Sequence, residues 1–222
     1  MSDRVLSVHQ EHELLLKLEQ AGFGSNEAQA VIESPENELA GQIVTNIRSK
    51  YLPNKLLEPI STINVAGTSK FVARDHFKPG EVEGVKIGYL SDNFKSHFLK
   101  KVEENVPQAQ LKSRKLKQSS LDPPIITALG DNHETYLAQL WELLKAQPKG
   151  ESGTLLTNGY ANIFYIRDAD NILWAVDMDW RDGSWGVDAY SIGYPGRWSG
   201  GDQVFGRWFF DLMNLKKLNL WI

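Results

Sequence analysis

The sequence predicts an α+β fold: a small N-terminal helical module, then a mixed α/β body that ends in an antiparallel β-meander. Up to about residue 50, apolar residues recur every three or four positions, which is the spacing of amphipathic helices. Farther along the chain the apolar spacing changes to every second residue, which is typical of strands. A two-residue Asp182-Gly183 turn between two alternating segments is a strong hairpin signal. We therefore predict a helical module at 1–50, a connector at 51–60 and an α+β domain at 61–222 with an aromatic-rich C-terminal meander.

Composition excludes several classes of chemistry. The 222 residues include no cysteine, so disulfides, thiol nucleophiles and cysteine-ligated metal sites are excluded. The net charge of -4 is mild and does not by itself imply a nucleic-acid partner. Residues 1–10 lack the apolar core of a signal peptide, and no segment approaches the roughly 20 apolar residues of a membrane span. The expectation is a cytoplasmic protein with no membrane partner; the oligomeric state stays open.

The helical module contains three short helices in residues 11–50. Each helix has one apolar stripe, and Gly22 and Gly24 separate the first helix from the second. The apolar residues of these stripes are Leu14, Leu15, Leu18, Ala28, Val31, Ile32, Leu39, Ile43 and Ile47. The segment 51–60, which contains Pro53 and Pro59, is then predicted to be a connector.

Strands and helices alternate in the body that follows. Strands are predicted at 71–74, 85–90 and 110–118, and a helix is predicted to run from Ser91 or Asp92 to residue 104. Pro123 and Pro124 open a short helix, because proline is favoured in the first helical turn. A longer helix is predicted to follow from residue 131 or 132. The C-terminal meander is predicted from strands at 163–167, 173–180 and 185–192.

The Asp182-Gly183 turn fixes the register of its two strands. With a two-residue loop, Trp180 faces Trp185 and Asp177 faces Asp188. One face of the hairpin is then apolar, and the other carries aspartates and Tyr190. The predicted apolar face consists of Trp174, Val176, Met178, Trp180, Trp185, Val187 and Ala189.

The opposite face brings Asp177, Asp179 and Asp188 together. Like charges in a cross-strand pair destabilise a sheet, so Arg167, Arg181, solvent or a bound cation must offset them. The first interpretation is a solvated acidic face neutralised by one of these arginines. The second is a metal site in which the three aspartates bind Ca²⁺ or another divalent cation. The aspartate spacing departs from a regular calcium loop, since it lacks the terminal glutamate.

Aromatic residues are concentrated at the C-terminal end. Six of the seven tryptophans lie between Trp174 and Trp221. At the end of the last predicted strand and among the glycines beyond it, the sequence places Tyr190, Tyr194, Arg197 and Trp198, a composition typical of ligand-binding loops. These four residues are the predicted ligand-binding residues. The tryptophans predicted to belong to the core are Trp174, Trp180, Trp185 and Trp208.

A basic segment spans residues 95–117. On the strand predicted at 110–118, Lys112, Arg114 and Lys115 are candidate nucleic-acid contacts that would follow phosphates. The alternative is an edge strand that lysine protects from aggregation, and this alternative is favoured.

Catalytic signatures are missing from the sequence. There is no nucleophile elbow, no phosphate loop and no His-Glu-x-x-His motif, and the five histidines are scattered singly. The leading hypothesis is a non-enzymatic binding protein whose aromatic and Asp-rich C-terminal surface meets a protein or a small polar ligand. A nucleic-acid-associated protein is second, and a metal-dependent hydrolase built on the three aspartates is third.

Two stretches resemble other sequences. Residues 18–22, 28–34 and 37–40 are similar to a helical module at the start of many uncharacterised bacterial proteins. Residues 155–165, with Tyr190-Ser191 and Tyr194-Pro195, resemble the C-terminal part of some of them. The resemblance covers about half the chain. It implies a bacterial protein with a mobile N-terminal module joined to variable C-terminal parts, an arrangement suited to recognition, and it implies no catalytic residue.

Overall fold

The computed structural model describes residues 7–35, 38–51 and 56–208, and the chain divides into two compact units, Met1–Pro53 and Asn54–Ile222. The boundary between the units lies inside the segment predicted as a connector. The side chain of Trp208, predicted to be buried, lies outside the described part of the chain, as does Trp221. The fold is α+β, as predicted.

The described residues of the first unit form three helices, α1 (Val8–Gln20), α2 (Ser25–Glu33) and α3 (Glu38–Tyr51). Helix α1 begins with a reciprocal cap: the Ser7 hydroxyl accepts a hydrogen bond from the Gln10 amide at 3.2 Å, and Gln10 Oε1 accepts one from the Ser7 amide at 2.9 Å. This arrangement satisfies two amides that the helix itself leaves without acceptors. The three helices predicted from the apolar stripes are present.

Between residues 56 and 208, the second unit contains eleven strands and four α-helices. The strands are β1 (Leu57–Val65), β2 (Thr68–Val72), β3 (Gly80–Val82), β4 (Val85–Leu90), β5 (Val102–Val106), β6 (Ala109–Leu116), β7 (Glu134–Thr135), β8 (Asn162–Arg167), β9 (Leu173–Arg181), β10 (Ser184–Ser191) and β11 (Gln203–Trp208). The helices are α4 (Ala73–His76), α5 (Asp92–Phe98), α6 (Asp122–Leu129) and α7 (Leu137–Ala146).

Several boundaries differ from the prediction because strand pairing overrides local preference. Strand β1 begins at Leu57, inside the predicted connector 51–60, and pairs with β6. The helix predicted to reach residue 104 ends at Phe98, and β5 pairs instead with β2 in a separate two-stranded sheet. The helix predicted from residue 131 or 132 begins only at Leu137, since β7 first pairs with β8.

Nine strands form one mixed sheet in the order β1-β6-β11-β8-β9-β10-β4-β3, with β7 paired to β8. Strands β8, β9 and β10 form the predicted antiparallel meander. Strand β11 was not predicted as a member of the sheet. It lies antiparallel to β6 and parallel to β8, and so joins the two halves of the sheet.

The hairpin register follows the turn as predicted. Trp180 is paired with Trp185 and Asp177 with Asp188, and both turn residues have positive φ angles, 51° at Asp182 and 72° at Gly183. Asparagine, aspartate and glycine tolerate this region of backbone conformation best, which explains the choice of residues.

The sheet is covered on one face and partly covered on the other. One face packs into the main core with α5 and α7, and the other into a smaller core with α6. Every residue of the predicted apolar hairpin face belongs to the main core, with Trp180 at its half-buried margin. The smaller core does not extend over the far half of the second face, where the aspartates of the hairpin lie.

A buried carboxylate anchors α7 to the small sheet. Glu103 of β5 accepts hydrogen bonds from the first amides of the helix, at 3.1 Å from Leu137 and 2.9 Å from Ala138. Lys101 Nζ lies 3.6 Å from the same carboxylate. Burial raises the pKa of Glu103, while the two amides and Lys101 oppose that rise. A residue distant in sequence therefore acts as the N-terminal cap of α7.

Replacing this carboxylate tests the anchor. Glu103→Ala is expected to lower the free energy of unfolding by about 2 kcal/mol, because two buried amides lose their acceptor. Glu103→Gln retains one acceptor oxygen and should cost less. Chemical denaturation measures both, with exposed Glu104→Ala on the same strand as the control. Equal losses for Glu103→Ala and Glu104→Ala would contradict the anchoring role.

Candidate functional site

The loop between β10 and β11, residues 192–202, is held against the second face of the sheet. Trp198 forms two backbone hydrogen bonds with Ser120, at 2.9 and 3.1 Å. Its indole N–H donates to Asp122 Oδ1 at 2.7 Å, and the Tyr165 hydroxyl donates to the same oxygen at 2.9 Å. Burial raises the pKa of Asp122, and both hydrogen bonds oppose that rise. The loop is thus fixed before any ligand arrives.

The four predicted ligand-binding residues line one cavity of about 210 Å³. Its complete lining, which we call the aromatic pocket, is Asp122, Tyr190, Tyr194, Gly196, Arg197 and Trp198. The Tyr190 ring lies 5.6 Å from the rings of both Tyr194 and Trp198. A side chain at Gly196 would overlap the Tyr194 ring, with a Cβ only 2.3 Å from its Cε1. Tyr194 is 52% exposed, so its ring is available to a partner.

A second hollow of about 620 Å³ adjoins the first at Tyr190. We call it the acidic pocket; it is lined by Gly88, Tyr89, Asp179, Arg181, Asp182, Ser184, Trp185, Gly186, Asp188 and Tyr190. Glycine keeps it open, because a Cβ at Gly186 would lie 2.8 Å from Asp179 Oδ1. Tyr190 lines both hollows, so they are neighbours; together we call them the groove, with an aromatic end and an acidic end.

Arg181 supplies part of the charge balance at the acidic end. Its guanidinium is hydrogen-bonded to Asp179, and this contact raises the pKa of Arg181. Arg167, the other arginine considered from the sequence, instead pairs with Glu134 at 2.5 and 3.0 Å. Of the two candidate arginines, Arg181 is therefore the one that lies beside the aspartates. It pairs with Asp179 and not with Asp177 or Asp188.

Asp177, which is paired across the strands with the pocket residue Asp188, has one unsatisfied oxygen. Its exposure is only 8%, and its Oδ1 has no hydrogen-bond partner among the residues that the structure describes. Burial, followed by repulsion from Asp179, Asp188 and Asp202, raises the pKa of Asp177 well above its usual value, against a hydrogen bond from the Asn162 backbone. Burial and Asp179 also raise the pKa of Asp188.

The three aspartates share one face, as predicted, without forming a metal-binding group. Within residues 7–35, 38–51 and 56–208, no three acidic or histidine side chains are placed to hold a metal ion. The predicted hydrolase centre at Asp177, Asp179 and Asp188 therefore gains no support from the geometry.

The basic segment does not form an exposed ladder. Strand β6 lies between β1 and β11, so it is an interior strand, and the predicted edge-strand role is wrong. Lys112 and Arg114 are half-buried. Burial is the main cause that lowers the pKa of each side chain. Lys115 is exposed and lines a different hollow, next to Tyr160. Odd and even positions of a strand face opposite sides, so the three residues do not share a surface.

One acid–histidine pair escaped the sequence analysis because its partners are 71 residues apart. His97 Nδ1 lies 3.0 Å from Asp168 Oδ2, and the Trp174 indole N–H donates to the same oxygen at 3.0 Å. Asp168 Oδ1 accepts from the amides of Asp170 and Ile172, both at 2.9 Å. These contacts hold the β8–β9 turn against α5, and this is a structural role.

Comparisons with known proteins give no external guide to function. The chain matches no protein-family model, no curated protein and no solved structure. Within the described ranges, no helix is both long enough and apolar enough to cross a membrane. Function is therefore inferred from the groove itself.

The buried carboxylate predicts a specific pH dependence. Because folding raises the pKa of Asp177 above 3.8, the folded state retains a proton that the unfolded state has lost. Stability should therefore fall as the pH rises from about 4 through the raised pKa. Asp177→Asn removes this loss and should stabilise the protein by about 1–3 kcal/mol at the alkaline end, since the amide can donate to the neighbouring carboxylates.

Unfolding followed between about pH 4 and pH 8.5 measures the difference. The control is Asp170→Asn, an equal change of charge at the exposed turn on the opposite end of β9. Parallel stability curves for the wild type and Asp177→Asn would contradict the buried, repelled state of this carboxylate.

Proposed function

We propose that this chain is a non-enzymatic binding protein that holds a segment of a partner protein in the groove formed by the aromatic and acidic pockets. The observation that carries the proposal is the convergence of Tyr190, Tyr194, Arg197 and Trp198 on one cavity. Large aromatic rings with few rotatable bonds give contact area at low entropic cost, as binding surfaces require.

The shape of the site favours a peptide over a small metabolite. Two hollows of about 210 and 620 Å³ meet at Tyr190, so the site is elongated rather than a single closed chamber. Tyr194 stands half exposed at one end, where a partner can cover it. Hot spots of protein interfaces are rich in tyrosine, tryptophan and arginine, and the aromatic pocket presents all three.

The loop is fixed in advance, which favours affinity. Asp122 and Ser120 hold Trp198 in place without a ligand. A preformed site loses little conformational entropy on binding. We place this binding function in the cytoplasm, in line with the lack of cysteine. A nucleic-acid role has less support, because Lys112 and Arg114 are half-buried.

Selection from a displayed random peptide library tests the proposal, because such a selection does not depend on the identity of the natural partner. Peptides enriched on the wild type should bind Tyr194→Ala at least about tenfold more weakly, because the exposed ring supplies a large share of the contact area. Fluorescence anisotropy measures each affinity. Tyr194 is half exposed, so its truncation should leave the unfolding midpoint unchanged.

The matched control is Tyr160→Ala. Tyr160 is 42% exposed and lines a different hollow beside Lys115 and Lys117. Peptides that bind Tyr194→Ala as well as the wild type, or that lose affinity for Tyr160→Ala instead, would place the binding surface elsewhere and refute the proposal.

A further inference from the structure

The acidic pocket has an unbalanced set of charges. Asp179 is paired with Arg181, whereas no ion pair joins Asp177 or Asp188 to a basic side chain among the described residues. The three carboxylates lie on one face, with Asp177 and Asp188 directly opposite each other on β9 and β10. A positive group in the pocket would offset the repulsion between Asp179 and Asp188, which both line it.

An unsatisfied carboxylate oxygen lies next to the pocket, on Asp177, which is paired across the strands with the pocket residue Asp188. Native proteins satisfy nearly all buried polar atoms, so a buried carboxylate oxygen without a partner requires an explanation. Asp177 is more than nine-tenths buried and its carboxylate faces the other aspartates of this cluster.

The walls of the pocket specify the kind of cation. Tyr89, which is 54% exposed, and Tyr190 line it together with Asp179 and Asp188. Aromatic faces beside carboxylates bind organic cations, and guanidinium does so best because it stacks on rings and presents a planar set of donors. A divalent metal ion fits poorly, since no three acidic side chains of the described residues are placed to coordinate it.

We propose that the acidic pocket binds the guanidinium group of an arginine side chain that a partner protein presents, with Asp188 and Asp179 as its acceptors and Tyr89 and Tyr190 as its walls. This inference rests on the proposed function, because the same partner segment then continues past Tyr190 into the aromatic pocket. Tyr190 lines both hollows, so the two subsites are adjacent along that path.

Two matched probes separate charge from shape. Acetyl-arginine methylamide carries the guanidinium, and acetyl-citrulline methylamide has nearly the same shape without the charge. In a ¹H–¹⁵N titration of the wild type, the arginine probe should shift the backbone amide signal of Gly186, which lines the pocket, with half-saturation at about 1 mM, an affinity ordinary for a single side chain. The citrulline probe should leave the signal in place. A five-residue peptide with a central arginine should bind more tightly than the free derivative, since it also reaches the aromatic pocket.

Variants assign the binding to the pocket. Asp188→Asn should weaken arginine binding about tenfold, and Tyr89→Ala should weaken it while leaving the fold intact, because Tyr89 is exposed. Asp170→Asn, with the same loss of charge at the far end of β9, should bind as the wild type does.

In the experiments with these probes and with Ca²⁺, four results would overturn the inference: no shift with the arginine probe, equal shifts with citrulline, equal losses for Asp188→Asn and Asp170→Asn, or a rise in melting temperature with millimolar Ca²⁺ that arginine does not reduce. The failure of the proposed function looks different. One outcome is a set of library peptides that lose affinity for Tyr194→Ala, contain no arginine and bind Asp188→Asn as tightly as the wild type. That result would refute only the arginine site. Binding of the arginine probe without any Tyr194-dependent peptide would refute the broader proposal instead.

Discussion

The register of the β9–β10 hairpin is the constraint on which the groove depends. Asp182 and Gly183 adopt the positive φ angles of a two-residue turn, and this turn leaves one pairing for the strands that it joins. A shift of one residue would move every side chain to the other face. The observed pairing buries Trp185 and Met178 in the main core and commits the aspartates to the opposite face. The acidic pocket is therefore a consequence of the same turn that builds the core.

The face carrying the aspartates tolerates its charges because it is only partly covered. Helix α6 and the loop 192–202 pack over the smaller core, whereas Asp179 and Asp188 line an open hollow. Arg181 relieves the repulsion at Asp179 and leaves Asp177 with one unsatisfied oxygen. Local destabilisation of this kind is common where a protein gives up stability for binding. The groove thus joins a rigid aromatic end, fixed through Asp122, to an acidic end with unmet charge.

Local sequence signals were sufficient for the elements whose structure is set by neighbouring residues. The three N-terminal helices, the C-terminal meander and the pairing of Asp177 with Asp188 all follow from apolar spacing and one turn. Pairing between strands that are distant in the sequence could not be predicted from those signals. Strand β5 replaced a predicted helical segment because it pairs with β2, and β11 entered the sheet between β6 and β8. The exposed basic ladder predicted on β6 is absent for the same reason, because β6 pairs on both sides and is an interior strand. The aromatic pocket was foreseeable from composition, whereas its junction with the acidic pocket at Tyr190 required the folded sheet.

The most direct measurement is the structure of the protein with an arginine-containing peptide, determined by crystallography or from intermolecular NOEs. We expect the guanidinium to lie in the acidic pocket, in contact with the ring of Tyr89 or Tyr190 and hydrogen-bonded to Asp188, and the peptide to continue toward Tyr194. A peptide bound in the hollow beside Tyr160, or a guanidinium placed away from Asp188, would contradict it.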